Sequence, residues 1–440
     1  MKKNFSSQNL WKRATRVIPG GNGLLSKRPD RYLPKHWPTY FSSCNGVEVT
    51  DLEGNKFIDM AQMAVGSAIL GYSNVDLVKA VNKASENGVN CTLNSPEEVY
   101  LAEKLLELNP FAGGVKFAKT GAEAMSIAIR IARAYSKKDK VAFSGYHGWS
   151  DWYMATNLAR EDNLNNHLLP GLSTQGVPKG LKDTVVPFIY NSVSDFKKVI
   201  KENPDVGIIC IEGARFEYPS KGFLQAIMEI SRKKNIVIVS DEITSGWRVT
   251  DGGVYKVNGF KPDIVVYGKG LGGGYAISAV LGKSKIMEEA KNTFISSTMF
   301  TERIGFVAAL KTIEIICENK VWEHLIKIGS IIGDAWLDLA KKYSLNLTIN
   351  EFKPLISFKL NYEDKTNLIN TIFIQEMLKR GYIASNSIYV SYAHNEKIIN
   401  QYFLMVDQVF ELISRAIDNN KLHELIETQE RSDAFGRLTK

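Results

Sequence analysis

Pro262–Gly274, PDIVVYGKGLGGG, runs a short apolar stretch, Ile264–Tyr267, into Lys269, a lone lysine set among glycines. A second stretch, Ser240–Arg248 (SDEITSGWR), continues the apolar run Ile236–Val239 and places Asp241 at its end. Both runs have the length and composition of buried strands. They are therefore expected to deliver an amine and a carboxylate to strand C-terminal ends, where open α/β sheets bind ligands.

An amine and an anion so placed suit pyridoxal phosphate chemistry, which needs a lysine for a Schiff base and a carboxylate for the pyridinium nitrogen. Desolvation among apolar strands favours the neutral amine that imine formation requires. Gly268, Gly270, Gly272, Gly273 and Gly274 suit close approach of backbone to a ligand. The plain alternatives are a surface lysine in a turn and an aspartate capping the next turn. A phosphate-binding P-loop does not fit, because no serine or threonine follows Lys269.

Three further stretches bear on the same edge. Lys119-Thr120-Gly121-Ala122-Glu123 lies between a predicted strand and a predicted helix, where free N–H groups and the helix dipole favour a phosphate. Tyr146-His147-Gly148 follows the strand Lys140–Phe143 and offers an aromatic ring to stack on a pyridine face, or else a rim aromatic. Glu212 ends the run Val206–Ile211 at that edge, without a definite role. No Gly-x-Ser-x-Gly elbow and no His-Glu-x-x-His helix occurs, and the six histidines are scattered, so no metal site is expected.

The chain has 440 residues, 44% hydrophobic and 23% charged, with a net charge of +8. That suffices for a large core and a main domain with smaller flanking parts. No apolar run approaches the ~20 residues of a membrane span. MKKNFSSQNLW lacks the apolar core of a secretory signal. Cys44, Cys91, Cys210 and Cys317 are widely spread, without metal or disulfide spacing, which suits a reducing cytoplasm. The lysines are dispersed among acids rather than gathered in a basic stripe with stacking aromatics, so neither nucleic acid nor membrane is expected as a partner.

The expected fold class is α/β. From Val115 strands alternate with helices: Val115–Ala118, Lys140–Phe143, Val206–Ile211, Ile236–Ser240, Ile264–Tyr267 and Ile277–Leu281, with helices at Glu123–Tyr135 and Phe223–Lys233. Such alternation predicts a mostly parallel central sheet flanked by helices. Before it come a helix at Leu10–Val17, a hairpin turning at Glu53-Gly54-Asn55, and helices at Val75–Gly88 and Glu97–Leu108. After Ile304 long helices and the strands Leu345–Asn350, Leu355–Leu360 and Tyr382–Val390 predict a smaller α+β domain. The expected division is 1–60 as an N-terminal segment joining the small domain, 61–300 as the large cofactor domain and 301–440 as the small domain. The last twenty residues are charged and read as a loose helix or tail.

Taken together, LWKRATRVIPGGNG, KTGAEAMSIAIRIAR, GYHGW, IICIEG, DEITSGWR and GKGLGGGYAISA, in that order from about Leu10 to Ile417, resemble the class III, fold-type I aminotransferases that depend on pyridoxal phosphate, glutamate-1-semialdehyde aminomutase among them. The resemblance implies that Lys269 forms the internal aldimine and moves protons, while Asp241 pairs with the pyridinium. It implies Tyr146 on one ring face and Ile243, where the family usually has valine, on the other. Thr120, Gly121 and Ala122 would hold the phosphate. His147 and Glu212, read from their place at the same strand edge, are also expected to bind the cofactor. Thr298 resembles the family threonine that reaches the neighbouring subunit's phosphate, so a homodimer is implied.

Three departures bear on substrate choice: Lys119 where asparagine is common, Thr301-Glu302-Arg303 in place of Gly-Asn-Pro, and Arg215–Ser220 in place of small residues. They favour an aminotransferase, taking an amino donor and a carbonyl acceptor, over an aminomutase that works within one substrate. A cofactor-binding protein without turnover is the remote alternative. Gly20–Arg28, Trp149, Arg215 and the polar segment Thr156–Pro178, either a lid or a plain loop, are the candidate substrate contacts.

Overall fold

The computed structural model describes residues 6–167 and 170–432. The chain divides into two compact units, residues 1–74 with 324–440 and residues 75–323. The first unit begins with a helix, Ser7–Val17, entered through Ser6, whose side chain accepts the Asn9 amide. Strands β1 (Phe41–Asn45), β2 (Glu48–Asp51) and β3 (Lys56–Met60) follow as an antiparallel meander. The expected turn is present: Asp51 Oδ1 accepts the Asn55 amide at 2.8 Å, and Gly54 supplies a φ of +91°.

The second unit is built on a seven-stranded sheet. Its strands in chain order are β4 (Gly114–Ala118), β5 (Lys140–Ser144), β6 (Val185–Pro187), β7 (Val206–Glu212), β8 (Val237–Asp241), β9 (Ile264–Tyr267) and β10 (Ser278–Gly282). Their order across the sheet is β4-β10-β9-β8-β7-β5-β6, with only β10 running against its neighbours. The unbroken apolar runs have a direct cause. Val141, Phe143, Ile208, Cys210, Val237 and Val239 face the layer of the helix Gly121–Ser136. The alternate residues Ala142, Ile209, Ile211 and Ile238 face Phe196, Phe223 and Ile227 on the other side. A sheet buried on both faces leaves no polar phase in its strands.

Two elements of this sheet's surroundings differ from expectation. The edge strand β6 and the helix Val193–Glu202 are additional. The helix start was legible as Ser-x-x-Asp: Ser192 Oγ accepts the Asp195 amide at 3.3 Å. The unit boundaries also lie further along the chain than residues 60 and 300. The helices Val75–Glu86 and Pro96–Leu108 pack against Arg303–Glu318, which buries Gly305, Ala308 and Ala309, so all three belong with the large sheet.

The first unit resumes after residue 323 with β11 (Leu347–Ile349), β12 (Leu355–Leu360), β13 (Tyr382–Ala384) and β14 (Ser387–Tyr389). The single strand expected over Tyr382–Val390 is in fact two. Ser385 Oγ accepts the Ser387 amide and donates to the Ser387 carbonyl, making a local turn. That turn sends β13 to pair with β3 and β14 to pair with β12, in separate sheets. The expected tail lies partly in the short helix Leu422–Leu425, while residues 433–440 fall outside the described residues. Among the described residues no helix is long and apolar enough to cross a membrane.

The satellite core of the second unit should be worth as much as its burial implies. Phe196 is fully buried, with ring centroids 5.2 Å from Phe188 and 6.3 Å from Phe223. Phe196→Ala is expected to cost about 3–5 kcal/mol in denaturant unfolding, and a loss below about 1 kcal/mol would show that this cluster is not tightly packed.

Candidate active site

The C-terminal ends of β5, β7, β8 and β9 share one edge of the second unit's sheet, because these strands run parallel. Asp241 ends β8, and Lys269 follows β9 after a single glycine. With Asp241 paired in register to Val266, the carboxylate and the amine leave the sheet side by side in sequence register. Both line one cavity of about 240 Å³, together with Thr120, Gly121, Ala122, Tyr146, His147 and Ile243. Of the ten residues expected at the site, Glu212 and Thr298 are not among those lining this cavity.

Lys269 opens a short 3₁₀ turn with φ at +32°, an uncommon backbone state for a side-chain-bearing residue. Its Nζ donates to Thr244 Oγ1 at 2.8 Å. Thr244 is a residue that sequence reasoning missed. The signal was its place three residues after Asp241 in SDEITSGWR, on the turn that also presents Ile243.

Asp241 is almost wholly buried and fully engaged. Its Oδ1 accepts the Ile243 amide at 3.0 Å, and its Oδ2 lies 2.8 Å from His147 Nδ1. His147 Nε2 lies 3.2 Å from the Ser144 carbonyl oxygen and 3.7 Å from Cys210 Sγ. Nδ1 donates to the Asp241 carboxylate, and Nε2 faces both the Ser144 carbonyl oxygen, an acceptor, and the Cys210 thiol, a weak donor. Burial alone would lower this histidine's pKa. The Asp241 carboxylate, hydrogen-bonded to Nδ1, outweighs that and holds it well above the ordinary value. His147 thus supports Asp241 from behind.

Glu212 works one layer back. Its Oε1 accepts from Arg215 Nε and Nη2 at 2.9 and 2.6 Å, and its Oε2 accepts the Tyr146 amide at 3.0 Å. Burial would raise its pKa, but Arg215 prevails and holds the carboxyl below the usual range. Arg215 also donates to Thr244 Oγ1 at 3.2 Å, and its Cζ lies 5.5 Å from the Tyr146 ring centroid. Glu212 therefore fixes both a wall of the cavity and the cation that lines it.

The turn Thr120-Gly121-Ala122 opens the 16-residue helix Gly121–Ser136 with a capping box. Glu123 Oε2 accepts the Thr120 amide at 2.8 Å, and Thr120 Oγ1 accepts the Glu123 amide at 3.3 Å. The next N–H groups, those of Gly121 and Ala122, have no preceding helical turn to receive them. A side chain on Gly121 would meet Ile243 Cδ1 at 2.9 Å, and one on Gly148 would meet the Ala122 Cβ at 3.0 Å. Small residues keep this turn open toward the cavity.

The departures noted in the sequence meet in space. Lys119 Nζ lies 2.8 Å from Glu302 Oε2, and Arg303 pairs with Glu97 through two bonds of 3.0 and 2.6 Å. Thr298 stands four residues before Glu302 in an exposed 3₁₀ turn, Thr298–Thr301. Trp149 is 74% exposed at the cavity rim. The segment Thr156–Pro178 is pinned at its start: Asn157 Oδ1 accepts the buried Leu164 amide at 2.9 Å. Residues 168 and 169 of that segment lie outside the described residues. In the first unit, Arg28 of the Gly20–Arg28 loop pairs with Asp30 at 2.8 Å.

The family model for class III aminotransferases matches residues 34–400. A 3-aminobutyryl-CoA aminotransferase of Cloacimonas acidaminovorans is 30% identical over 404 residues, covering 89% of this chain and 93% of the relative. A glutamate-1-semialdehyde 2,1-aminomutase of Nitrosopumilus maritimus is 28% identical, covering 90% and 97%. In fold the chain is similar to the FumI protein of Sphingopyxis sp. MTA144 in its PLP internal aldimine form, with a TM-score of 0.85, 23% identity and coverage of 97% and 98%.

The His147–Asp241 pair should leave a mark on stability. A histidine whose folded pKa is raised stabilises fully below its unfolded pKa, about 6.5, and progressively less as pH rises through the folded value. Denaturant stability of the full chain is therefore expected to fall above pH 6.5. The fall should be absent in His147→Asn, which still donates to Asp241 but does not titrate. An equal slope in both proteins would contradict the charged pair.

Proposed function

The chain belongs to the class III aminotransferases, enzymes that depend on pyridoxal phosphate, and on that premise we propose that Lys269 bonds the cofactor and that an amino group passes from a donor to a separate carbonyl acceptor. The observation that carries this is the convergence of Lys269, Asp241 and the Thr120–Ala122 turn on one cavity. When bound, pyridoxal phosphate supplies a carbonyl that takes up the amino group and a ring that withdraws electrons from the substrate carbon.

The roles of the residues follow from their surroundings. The amides of Gly121 and Ala122, at the positive end of a long helix, would receive the phosphate. Asp241, held in place by His147, would face the ring nitrogen and keep it protonated. Tyr146 and Ile243 would wall the ring. Lys269 would move the proton at the substrate carbon that bears the nitrogen. Thr244 holds the Lys269 amine in place and also accepts from the Arg215 guanidinium. A neutral amine is the form that can accept a proton.

Arg215 supports an aminotransferase acting on a substrate with an anionic or strongly polar group near the amino-bearing carbon. Its guanidinium lines the cavity near the Tyr146 ring, and Arg recognises such groups with fixed geometry. The relative that acts on 3-aminobutyryl-CoA makes 3-amino thioesters the first donors to offer. The aminomutase reading remains the alternative, since relatives of that name match along nearly the whole chain.

We place the enzyme in a reducing cytoplasm, consistent with four unpaired cysteines. We also place it in a homodimer in which Thr298 meets the partner's cofactor phosphate. Leu93 and Phe294, 79% and 84% exposed, flank that segment, whose Arg303 amide is bonded to the Val89 carbonyl. Apolar side chains this open suit a face covered by a second copy.

Absorbance of the holoenzyme mixed with glutamate, alanine or 3-aminobutyryl-CoA should show conversion to the pyridoxamine form with at least one donor. Efficient formation of 5-aminolevulinate from glutamate-1-semialdehyde alone, with no conversion by any donor, would reverse the assignment in favour of the aminomutase. Lys269→Ala should abolish turnover. Thr244→Val should lower kcat about tenfold with KM little changed; an unaltered kcat would remove Thr244 from its positioning role.

A further inference from the structure

Lys119 and Glu302 lie 183 positions apart in sequence, yet each is the other's ionic partner. The pair is mostly withdrawn from water, with side chains 13% and 17% exposed. Lys119 Nζ also donates to the Glu302 carbonyl oxygen at 3.1 Å and lies 5.5 Å from the Phe306 ring centroid. Glu302 in turn caps the helix Arg303–Glu318, accepting the Ile304 amide at 2.6 Å and the Gly305 amide at 3.4 Å. A side chain at Gly305 would come within 2.9 Å of Lys119 Nζ, so the ammonium sits directly on the first turn of that helix.

This couple joins two segments with a common purpose. Lys119 immediately precedes Thr120-Gly121-Ala122, and its own amide bonds Glu123 Oε2 at 3.2 Å, within the capping box that shapes the turn. Glu302 ends the Thr298–Thr301 turn. Elsewhere in the turn, Ser278 Oγ donates to the Thr120 carbonyl at 2.9 Å, so the turn is fixed from β10 as well. Arg303, paired to Glu97, anchors the other side of residue 302. Backbone donors bind an anion well only where their directions are preset. The Lys119–Glu302 bond links the residue before the Thr120–Ala122 turn to the residue after the Thr298–Thr301 turn.

We propose that Lys119 and Glu302 are positioning residues for the cofactor phosphate, an ion pair that locks the Thr120–Ala122 turn to the Thr298 segment and so sets how tightly the phosphorylated cofactor is held. The proposal rests on the assignment of that turn to the phosphate. Neither side chain touches the cofactor; each acts through backbone it holds.

The test compares pyridoxal phosphate with pyridoxal, which lacks the phosphate, on the full-length apo-enzyme by absorbance titration. Lys119→Met is expected to weaken pyridoxal phosphate about tenfold while leaving pyridoxal within about twofold, and Lys119→Arg should restore the difference. Glu302→Gln, which keeps an oxygen for the helix cap, should reproduce the loss, and the double variant should be no worse than either single one. It carries the test alone should Lys119→Met fail to fold. Equal weakening of both ligands would reveal general destabilisation and overturn the proposal, as would unchanged affinity for both. Borohydride reduction and peptide mapping separate the two levels of failure. Absence of label on Lys269 in the unmodified enzyme would sink the assignment of the site, whereas label on Lys269 with no change in phosphate preference would sink only the role of the pair.

Discussion

Burying a carboxylate costs several kcal/mol unless a partner and further hydrogen bonds repay it. Asp241 is 4% exposed at the end of β8, with one oxygen on the Ile243 amide and the other on His147. The histidine is itself buried and holds its second nitrogen against the Ser144 carbonyl. The site depends on this arrangement, because it keeps a negative charge at a fixed point where water cannot screen it. A ring nitrogen brought against that charge has its proton stabilised without any movement of the protein.

The sheet supplies the geometry for the rest. Parallel strands end together, so Tyr146 after β5, Glu212 on β7, Asp241 on β8 and Lys269 after β9 converge from positions more than a hundred residues apart. Tyr146, Asp241 and Lys269 are then each held by a neighbour that follows or lies on another strand. Glu212 orients Arg215 and the backbone of Tyr146, and Thr244 receives both Arg215 and Lys269. The result is a cavity with a fixed anion on one side and a hydrogen-bonded amine beside an arginine on another.

Much of this was legible in the sequence because burial on both faces leaves unbroken apolar strands, and because Lys269 and Asp241 interrupt that pattern at strand ends. The turn at Thr120 was legible as a helix start. Other features left no local trace. Nothing near Ser385 signals that Tyr382–Val390 divides between two sheets, since the division is made by pairing with β3 and β12. The roles of His147 and Glu212 as supports of Asp241 and Tyr146 depend on contacts across β5, β7 and β8, which spacing alone does not reveal. Lys119 and Glu302 looked like two separate departures from the family pattern, and only their meeting in space makes them a single feature.

The central claim is that the Asp241 carboxylate meets the aromatic nitrogen of a cofactor bonded to Lys269. The most direct test is the ¹⁵N chemical shift of the ring nitrogen in holoenzyme loaded with labelled pyridoxal phosphate. A protonated nitrogen that stays protonated across neutral pH, and becomes unprotonated in Asp241→Ala, is the predicted result. A nitrogen unprotonated in the unmodified enzyme, or indifferent to the loss of Asp241, would contradict it.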